Sequence, residues 1–173
     1  MKEKHFPTIL GIIFLVVILF VGVYLSLRKT SFFSISSNTC EPINGQITNL
    51  TYGSFDFSFT TPTSCTATLV INNKIYQDSS SVSNTHYFKI SNLSPATSYQ
   101  FHLISGGITY SKPEYTFTTA SKPSSSIPTS NLAWGKVIDQ DSKPISGAIV
   151  YLTIPGSQSL SAFSNKDGNW NIS

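Results

Sequence analysis

The chain has 173 residues, of which 11% are charged, 40% hydrophobic and 13% aromatic, and its net charge is +3. A chain of this length holds one or two small domains. The low fraction of charged residues is typical of an exported all-β protein and excludes a cytosolic helical enzyme. The positive charge does not indicate nucleic-acid binding, because beyond Thr30 seven lysines balance seven acidic residues and the excess flanks an apolar N-terminal segment.

The first predicted element is a transmembrane helix over residues 8–27, which contain no charged residue. About 20 helical residues at about 1.5 Å each extend about 30 Å, the thickness of the hydrocarbon core of a bilayer. A cleavable signal peptide, the alternative, has a shorter apolar region that ends in small residues, whereas this run ends in Leu-Arg-Lys. We therefore expect an uncleaved signal anchor in the lipid bilayer of the cell membrane. Residues 1–7 are then cytoplasmic, 28–39 form a stalk, and the remainder is extracytoplasmic.

Residues 40–120 form short runs in which apolar and polar residues alternate. Phe55, Phe57 and Phe59 alternate with polar residues, which predicts a strand with one buried face. The pair at 72–73, Asn-Asn, predicts a hairpin turn because asparagine tolerates the left-handed conformation. Further alternating runs lie at 66–71, 88–90, 99–103 and 115–117. Six or seven short strands of this kind predict a β-sandwich.

Residues 93–99 read LSPATSY, residues 86–90 read HYFKI and residues 117–119 read FTT. These stretches resemble the L-x-P-x-T-x-Y corner, the H-x-V-x-L strand and the closing F-T-T of the fibronectin type III family, an Ig-like β-sandwich. The resemblance implies that Tyr99 is the tyrosine-corner residue, whose hydroxyl bonds to the nearby backbone. The tryptophan usual on the second strand is absent, and Phe59 takes its place.

The two cysteines are candidates for a disulfide. Cys40 lies just before the first predicted strand and Cys65 opens the third. In a sandwich with this strand order both positions lie at the same pole, so a bridge is geometrically plausible in an oxidising compartment. It would close a loop of about 25 residues and stabilise the fold by about 3 kcal/mol. The alternative is two unrelated free thiols.

A second β pattern follows a predicted semi-extended linker at 121–131, rich in serine and proline. Residues 135–139 read GKVID, residues 144–152 read PISGAIVYL and residues 167–170 read DGNW. With these stretches, residues 132–173 resemble the first half of the carboxypeptidase regulatory-like family, whose pattern is G-x-V-x-D, P-x-x-G-A-x-V-x-L and D-G-x-aromatic. The resemblance implies a seven-stranded sandwich of transthyretin-like topology. About 40 residues do not easily bury a sandwich core. We therefore expect a partial domain and a natural protein that continues beyond Ser173. If the chain ends there, we expect the tail to be partly disordered or paired with another chain.

The sequence lacks a recognisable catalytic motif, such as G-x-S-x-G or a phosphate-binding glycine loop. His86 and His102 fall on strands that we expect to be neighbours, without the cysteines or acidic cluster of a metal site, so we interpret them as structural. Asp139, Asp141 and Asp167 could suggest calcium. Aspartate at a chain reversal needs no ligand, however. We predict no catalytic, metal or cofactor site in these residues.

The order of anchor, sandwich, linker and second sandwich predicts a non-enzymatic surface protein whose modules act as spacers or adhesive units. A protein or glycan partner is not identifiable from the sequence, and no nucleic-acid partner is expected. The alternative is the accessory region of a larger extracytoplasmic hydrolase whose catalytic domain lies beyond Ser173. Both families commonly accompany catalytic domains, so the resemblances do not discriminate between these two functions. Two glycosylation sequons, at Asn49 and Asn92, matter only in a eukaryotic source.

Overall fold

The structure, a computed structural model, describes residues 11, 16–19, 39–125 and 131–172. Residues 16–19 are helical. Most of the predicted anchor, the predicted cytoplasmic segment, all but the last residue of the predicted stalk and part of the predicted linker lie outside the described residues. In the part of the chain that the structure covers, no helix has the length and apolar character needed to cross a membrane. The chain divides into two compact units, Met1–Ser37 and Asn38–Ser173, and the second contains all of the β-structure described below.

Residues 39–125 contain eight strands, which form two antiparallel sheets. The strands are β1 (Ile43–Thr48), β2 (Phe55–Cys65), β3 (Ala67–Ile71), β4 (Lys74–Gln77), β5 (Ser83–Ile90), β6 (Ser98–Ser105), β7 (Ile108–Tyr110) and β8 (Thr116–Thr118). The three-stranded sheet has the order β1–β2–β5. The five-stranded sheet has the order β4–β3–β6–β7, with β8 also paired to β6.

Side chains from both sheets form one aromatic core. Phe57 of β2 lies 4.9 Å from Phe101 of β6, measured between ring centroids, and Phe55 lies 4.0 Å from Phe117 of β8. Fully burying a phenylalanine side chain contributes about 1.5–3 kcal/mol. Because the inner faces of two sheets share this core, residues 39–125 form a β-sandwich.

The predicted hairpin at residues 72–73 is confirmed. Asn72 and Asn73 have positive φ angles of 47° and 63°, and Ile71 pairs directly with Lys74 across the turn. These are the backbone conformations that a two-residue hairpin requires, and asparagine adopts them at low cost.

Three details of the sequence prediction are wrong. Ser58, which alternates with the core phenylalanines, is fully buried, so β2 is covered on both faces. Cys65 ends β2 and does not open the third strand. His86 lies on β5 and His102 on β6, which belong to different sheets, so the two histidines are not on neighbouring strands.

The tail, residues 131–172, contains four more strands in two antiparallel pairs. They are β9 (Ala133–Lys136), β10 (Ile149–Leu152), β11 (Leu160–Phe163) and β12 (Asn169–Ile172). β9 pairs with β12, and β10 pairs with β11. Gly135 lies opposite Trp170, and a Cβ atom at residue 135 would lie 2.8 Å from the indole. Glycine therefore lets the indole pack against β9.

Candidate functional site at the outer face of the three-stranded sheet

The outer face of the three-stranded sheet is covered by the tail. Because successive side chains of a strand point to opposite faces, residues that alternate with the core phenylalanines point away from the core. We call the outward-pointing residues of this sheet, together with Asn49 just after β1, the docking face. Its members are Thr48, Asn49, Asp56, Ser58, Thr85 and Tyr87. We call β10, β11 and their connection the docked hairpin.

A buried hydrogen-bond network joins the docking face to the docked hairpin. The Tyr87 hydroxyl donates to Asp56 Oδ2 at 2.7 Å and lies 2.9 Å from Ser161 Oγ of β11. Ser161 Oγ also lies 2.5 Å from Thr48 Oγ1. Tyr87 is 0% exposed and Ser161 3% exposed. These polar groups find partners in one another, as buried polar groups must if burial is not to cost free energy.

Asn49 pairs with β11 as a neighbouring strand would. Its Oδ1 accepts the Ser161 N–H at 2.9 Å, and its Nδ2 donates to the Ser161 carbonyl at 2.7 Å. Its backbone N–H donates to the Ser159 carbonyl at 3.2 Å. Asn49 has a positive φ of 51°, a conformation that asparagine tolerates better than most residues. The side-chain amide thus takes the place of a peptide group at the edge of β11.

Further contacts extend the interface on both sides of this network. Ser58 Oγ lies 2.7 Å from the Tyr151 hydroxyl of β10, and Thr85 Oγ1 donates to the Gly147 carbonyl at 2.9 Å. The Tyr87 ring stacks on Phe163, with ring centroids 5.4 Å apart. The interface therefore combines directional hydrogen bonds with one aromatic contact.

The protonation of Tyr87 suits its role as a donor. Burial first, and then its hydrogen bond to the Asp56 carboxylate, raise the pKa of Tyr87 well above the ordinary tyrosine value of about 10. The hydroxyl therefore keeps its proton, and its hydrogen bond to Asp56, throughout the neutral and mildly alkaline range.

The residues singled out from the sequence lie elsewhere, in the sandwich. Cys40 and Cys65 are joined in the structure, with their Cα atoms 5.9 Å apart. The backbone of Gly106 packs against this pair, since a Cβ atom there would lie 2.5 Å from Cys40 Sγ. The Tyr99 hydroxyl accepts the Ser94 N–H at 2.9 Å, between β5 and β6. None of these residues takes part in the contacts between the docking face and the docked hairpin.

His86 has an acidic partner that sequence reasoning missed. Its Nδ1 lies 2.6 Å from Asp78 Oδ2, and its Nε2 lies 3.0 Å from Thr61 Oγ1. The order Thr–His–Asp is that of a nucleophile, base and orienting acid. However, the Thr61 hydroxyl donates to the Thr63 carbonyl at 2.7 Å, and Thr61 and His86 are both buried. A substrate cannot reach these atoms, so the arrangement is structural; nothing in the sequence spacing distinguishes Asp78 from other loop aspartates.

The aspartates considered for calcium lie in hydrogen-bonded turns. Asp139 Oδ1 accepts the N–H groups of Asp141 and Lys143, each at 2.9 Å. Asn165 Oδ1 accepts the N–H of Asp167 at 2.9 Å. Among the described residues, no three His, Cys, Asp or Glu side chains come together in a group that could hold a metal ion.

A cleft of about 740 Å³ lies beside the docked hairpin. One wall comes from the sandwich and includes Asn49, Asp56 and Lys89. The other comes from the tail and includes residues 160–163 of β11 and 169–172 of β12. The cleft is thus built jointly by the two β regions and exists because the tail is docked.

No family model matches the chain, and no curated protein matches it. Among solved structures, the chain is similar to one from the computer-based redesign of a β-sandwich protein, with 21% sequence identity and a TM-score of 0.35. The match covers 46% of this chain and 94% of that chain. The two sheets and their shared core define the class: an all-β protein with a β-sandwich-like fold.

Proposed function

We propose that this chain is a membrane-anchored, extracytoplasmic structural protein that acts as a rigid spacer or adhesive module and not as an enzyme. The observation that carries the proposal is the hydrogen-bonded interface between the docking face and the docked hairpin. A spacer keeps its ends apart only if its modules do not swing about their linker. Contacts such as Asn49 with Ser161 fix the tail on the sandwich in this way.

Within this proposal, residues 40–120 are a fibronectin type III domain. The strand orders β1–β2–β5 and β4–β3–β6–β7 are those expected for that family, and the Tyr99 hydroxyl bonds to the backbone at the expected corner. Residues 132–173 are the partial carboxypeptidase regulatory-like domain. Its support is the sequence pattern and the β-structure of its four strands.

Anchoring through residues 8–27 rests on the uncharged sequence of that segment. The test is alkaline carbonate extraction and external protease treatment of cells that express the full chain. We expect the protein to remain in the membrane pellet and residues beyond 39 to be digested from outside. A double variant, Val16→Arg with Ile18→Arg, should be released by carbonate, whereas Val16→Leu should not. Protection of the β region from external protease would refute the proposed topology.

The rigid-spacer role is tested by distances between spin labels on unnatural amino acids at Asn73, in the sandwich, and Gln140, in the tail. The full chain in lipid nanodiscs should give one narrow distance distribution. Combining Asn49→Ala with Tyr87→Phe removes the side-chain hydrogen bonds of these two residues to Ser161 and should broaden it. Gln100→Ala, on an exposed site of the other sheet, should leave it unchanged. A broad distribution in the wild-type protein would be incompatible with a rigid spacer.

A further inference from the structure

The chain enters and leaves the sandwich at opposite ends of β2. Beside the last residues of β2, the Thr39 carbonyl accepts the Thr63 N–H at 3.2 Å. Before the first residue of β2, the Ala120 N–H donates to the Thr51 carbonyl at 3.1 Å. β2 has 11 residues. At about 3.3 Å each, they separate the two points by about 30 Å. Tension applied through the chain on both sides of the sandwich therefore acts along its strands.

Tension from the N-terminal side would reach β1 first. This strand lies at the edge of the three-stranded sheet, where β2 is its neighbour. Four residue pairs join the two strands, and their register is irregular between Ile43 and Gln46. Residues 43–46 are exposed. A short edge strand with few buried contacts has low local stability, so β1 is the part of the sandwich that tension entering there would detach first.

Detachment of β1 would also break the interface with the tail. Thr48 ends β1, and its Oγ1 lies 2.5 Å from Ser161 Oγ. Asn49 follows directly and forms two side-chain hydrogen bonds with the backbone of Ser161. If β1 were pulled off β2, both residues would move away from β11. The mechanical stability of the docking face therefore depends on keeping tension out of β1.

The two cysteines lie on either side of this weak point. Cys40 precedes β1, Cys65 is the last residue of β2, and their sequence separation is 25. The loop that they close holds β1, nearly all of β2 and most of the docking face, namely Thr48, Asn49, Asp56 and Ser58. The Gly106 backbone packs against Cys40, so the joined pair is also seated against the turn between β6 and β7 of the other sheet. Tension that arrives at Cys40 can therefore pass directly to Cys65, beyond the loop.

We propose that a Cys40–Cys65 disulfide is a mechanical bypass, which carries tension past residues 41–64 and keeps the docking face folded under load. The covalent bond transmits the force, so β1 and its hydrogen bonds to β2 carry none of it. The tail then stays on an intact docking face while the chain is pulled. The inference deepens the proposed spacer role and rests on it, because only a chain that is anchored at one end and pulled at the other carries tension.

The test is single-molecule pulling with optical tweezers on the full chain in lipid nanodiscs, with handles attached to unnatural amino acids at Asn38 and Lys122. The wild type should unfold without an early event, and the closed loop should stay unextended. The variant Cys40→Ser with Cys65→Ser should show an additional event at lower force. Its total extension should be greater by about 85 Å, since 25 more residues extend at about 3.4 Å each.

Two controls separate the bypass from a general loss of stability. Dithiothreitol added to the folded wild type should reproduce both changes, which keeps the test valid if the double variant folds poorly. With handles at Asn73 and Lys122, the loaded segment excludes the loop, so reduction should change neither the extension nor the force of the first event.

Three results would overturn the proposal. A longer extension without an early event at low force would show that β1 resists tension without the bridge. An equal fall in the force of the first event with both pairs of handles would show that the bridge acts only through general stability. An extension that dithiothreitol does not change would show that the bridge is absent. All handles lie beyond residue 27, so none of these outcomes depends on anchoring, which carbonate extraction tests separately.

Discussion

The two faces of the three-stranded sheet are stabilised by different chemistry. On the inner face, Phe55 and Phe57 pack against aromatic residues of the opposite sheet, and Phe59 packs beside Phe57 and Phe88 of its own sheet. On the outer face, Asp56 and Tyr87 hydrogen-bond to one another and to the tail. Apolar burial is non-directional and contributes in proportion to area, whereas hydrogen bonds add less free energy but demand fixed positions. The inner face therefore supplies most of the stability, and the outer face fixes where the tail lies.

The largest expected loss of stability comes from disrupting the packing on the inner face. Phe57→Ala should lower the free energy of unfolding by about 3–5 kcal/mol, because it leaves a cavity in a core that cannot fully collapse. Urea denaturation of the full chain, followed by far-UV circular dichroism, measures this loss. Tyr52→Phe is the matched control, because Tyr52 is exposed and lies outside the core. A loss below about 1 kcal/mol for Phe57→Ala would contradict the central role of this ring.

The disulfide has the next largest expected effect on stability. It restricts the unfolded chain and therefore stabilises the whole sandwich, including both faces of the sheet. Reduction of a Cys40–Cys65 bridge, with a sequence separation of 25, should lower the free energy of unfolding by about 3 kcal/mol. Non-reducing mass spectrometry of the exported protein tests the bridge itself. Two alkylatable thiols in that protein would show that the bridge does not form.

A smaller loss of stability is expected when hydrogen bonds of the outer face are removed. Tyr87→Phe removes one hydroxyl and should lower the free energy of unfolding by about 1–3 kcal/mol, because Asp56 loses a buried donor. Trp134 and Trp170 are the two tryptophans of the chain and both lie in the tail, so their fluorescence reports on the tail alone.

In the wild type, fluorescence and circular dichroism should give coincident unfolding transitions, since the two β regions are joined. In Tyr87→Phe with Asn49→Ala, the fluorescence transition should move to lower urea. Gln100→Ala should keep the transitions together. Separate transitions in the wild-type protein would show that the interface does not couple the two regions.

The inner face could be predicted from the sequence, and the outer face could not. The alternation of Phe55, Phe57 and Phe59 predicts a strand, and the two asparagines at 72–73 predict a hairpin. Both predictions succeed because each depends only on residues that are close in sequence. Asn49 and Ser161, by contrast, are 112 residues apart, and a polar residue that faces outward looks the same whether it meets water or a partner. Tyr87 and Asp78 were missed for the same reason: their partners are set by the fold and not by spacing.

The smallest expected effect is a dependence of the free energy of unfolding on alkaline pH. It again distinguishes the two faces, because one buried tyrosine lies on each. Burial first, and then the nearby Glu114 and Glu41, raise the pKa of Tyr115 to about 12, and burial with Asp56 raises the pKa of Tyr87 further. Unfolded tyrosine loses its proton near pH 10. The stabilisation is therefore complete below pH 10 and declines as the pH rises from 10 towards 12, because only the unfolded chain then ionises.

Urea midpoints at pH 8, 10 and 11 should show this decline in the wild type. It should become shallower in Tyr115→Phe, which alters the core, and in Tyr87→Phe, which alters the interface. With the tail fluorescence as the probe, Tyr87→Phe should reduce the pH dependence more than Tyr115→Phe does, because Tyr87 contacts the tail directly. Equal slopes for both variants and the wild type would mean that neither phenol is kept protonated by its surroundings.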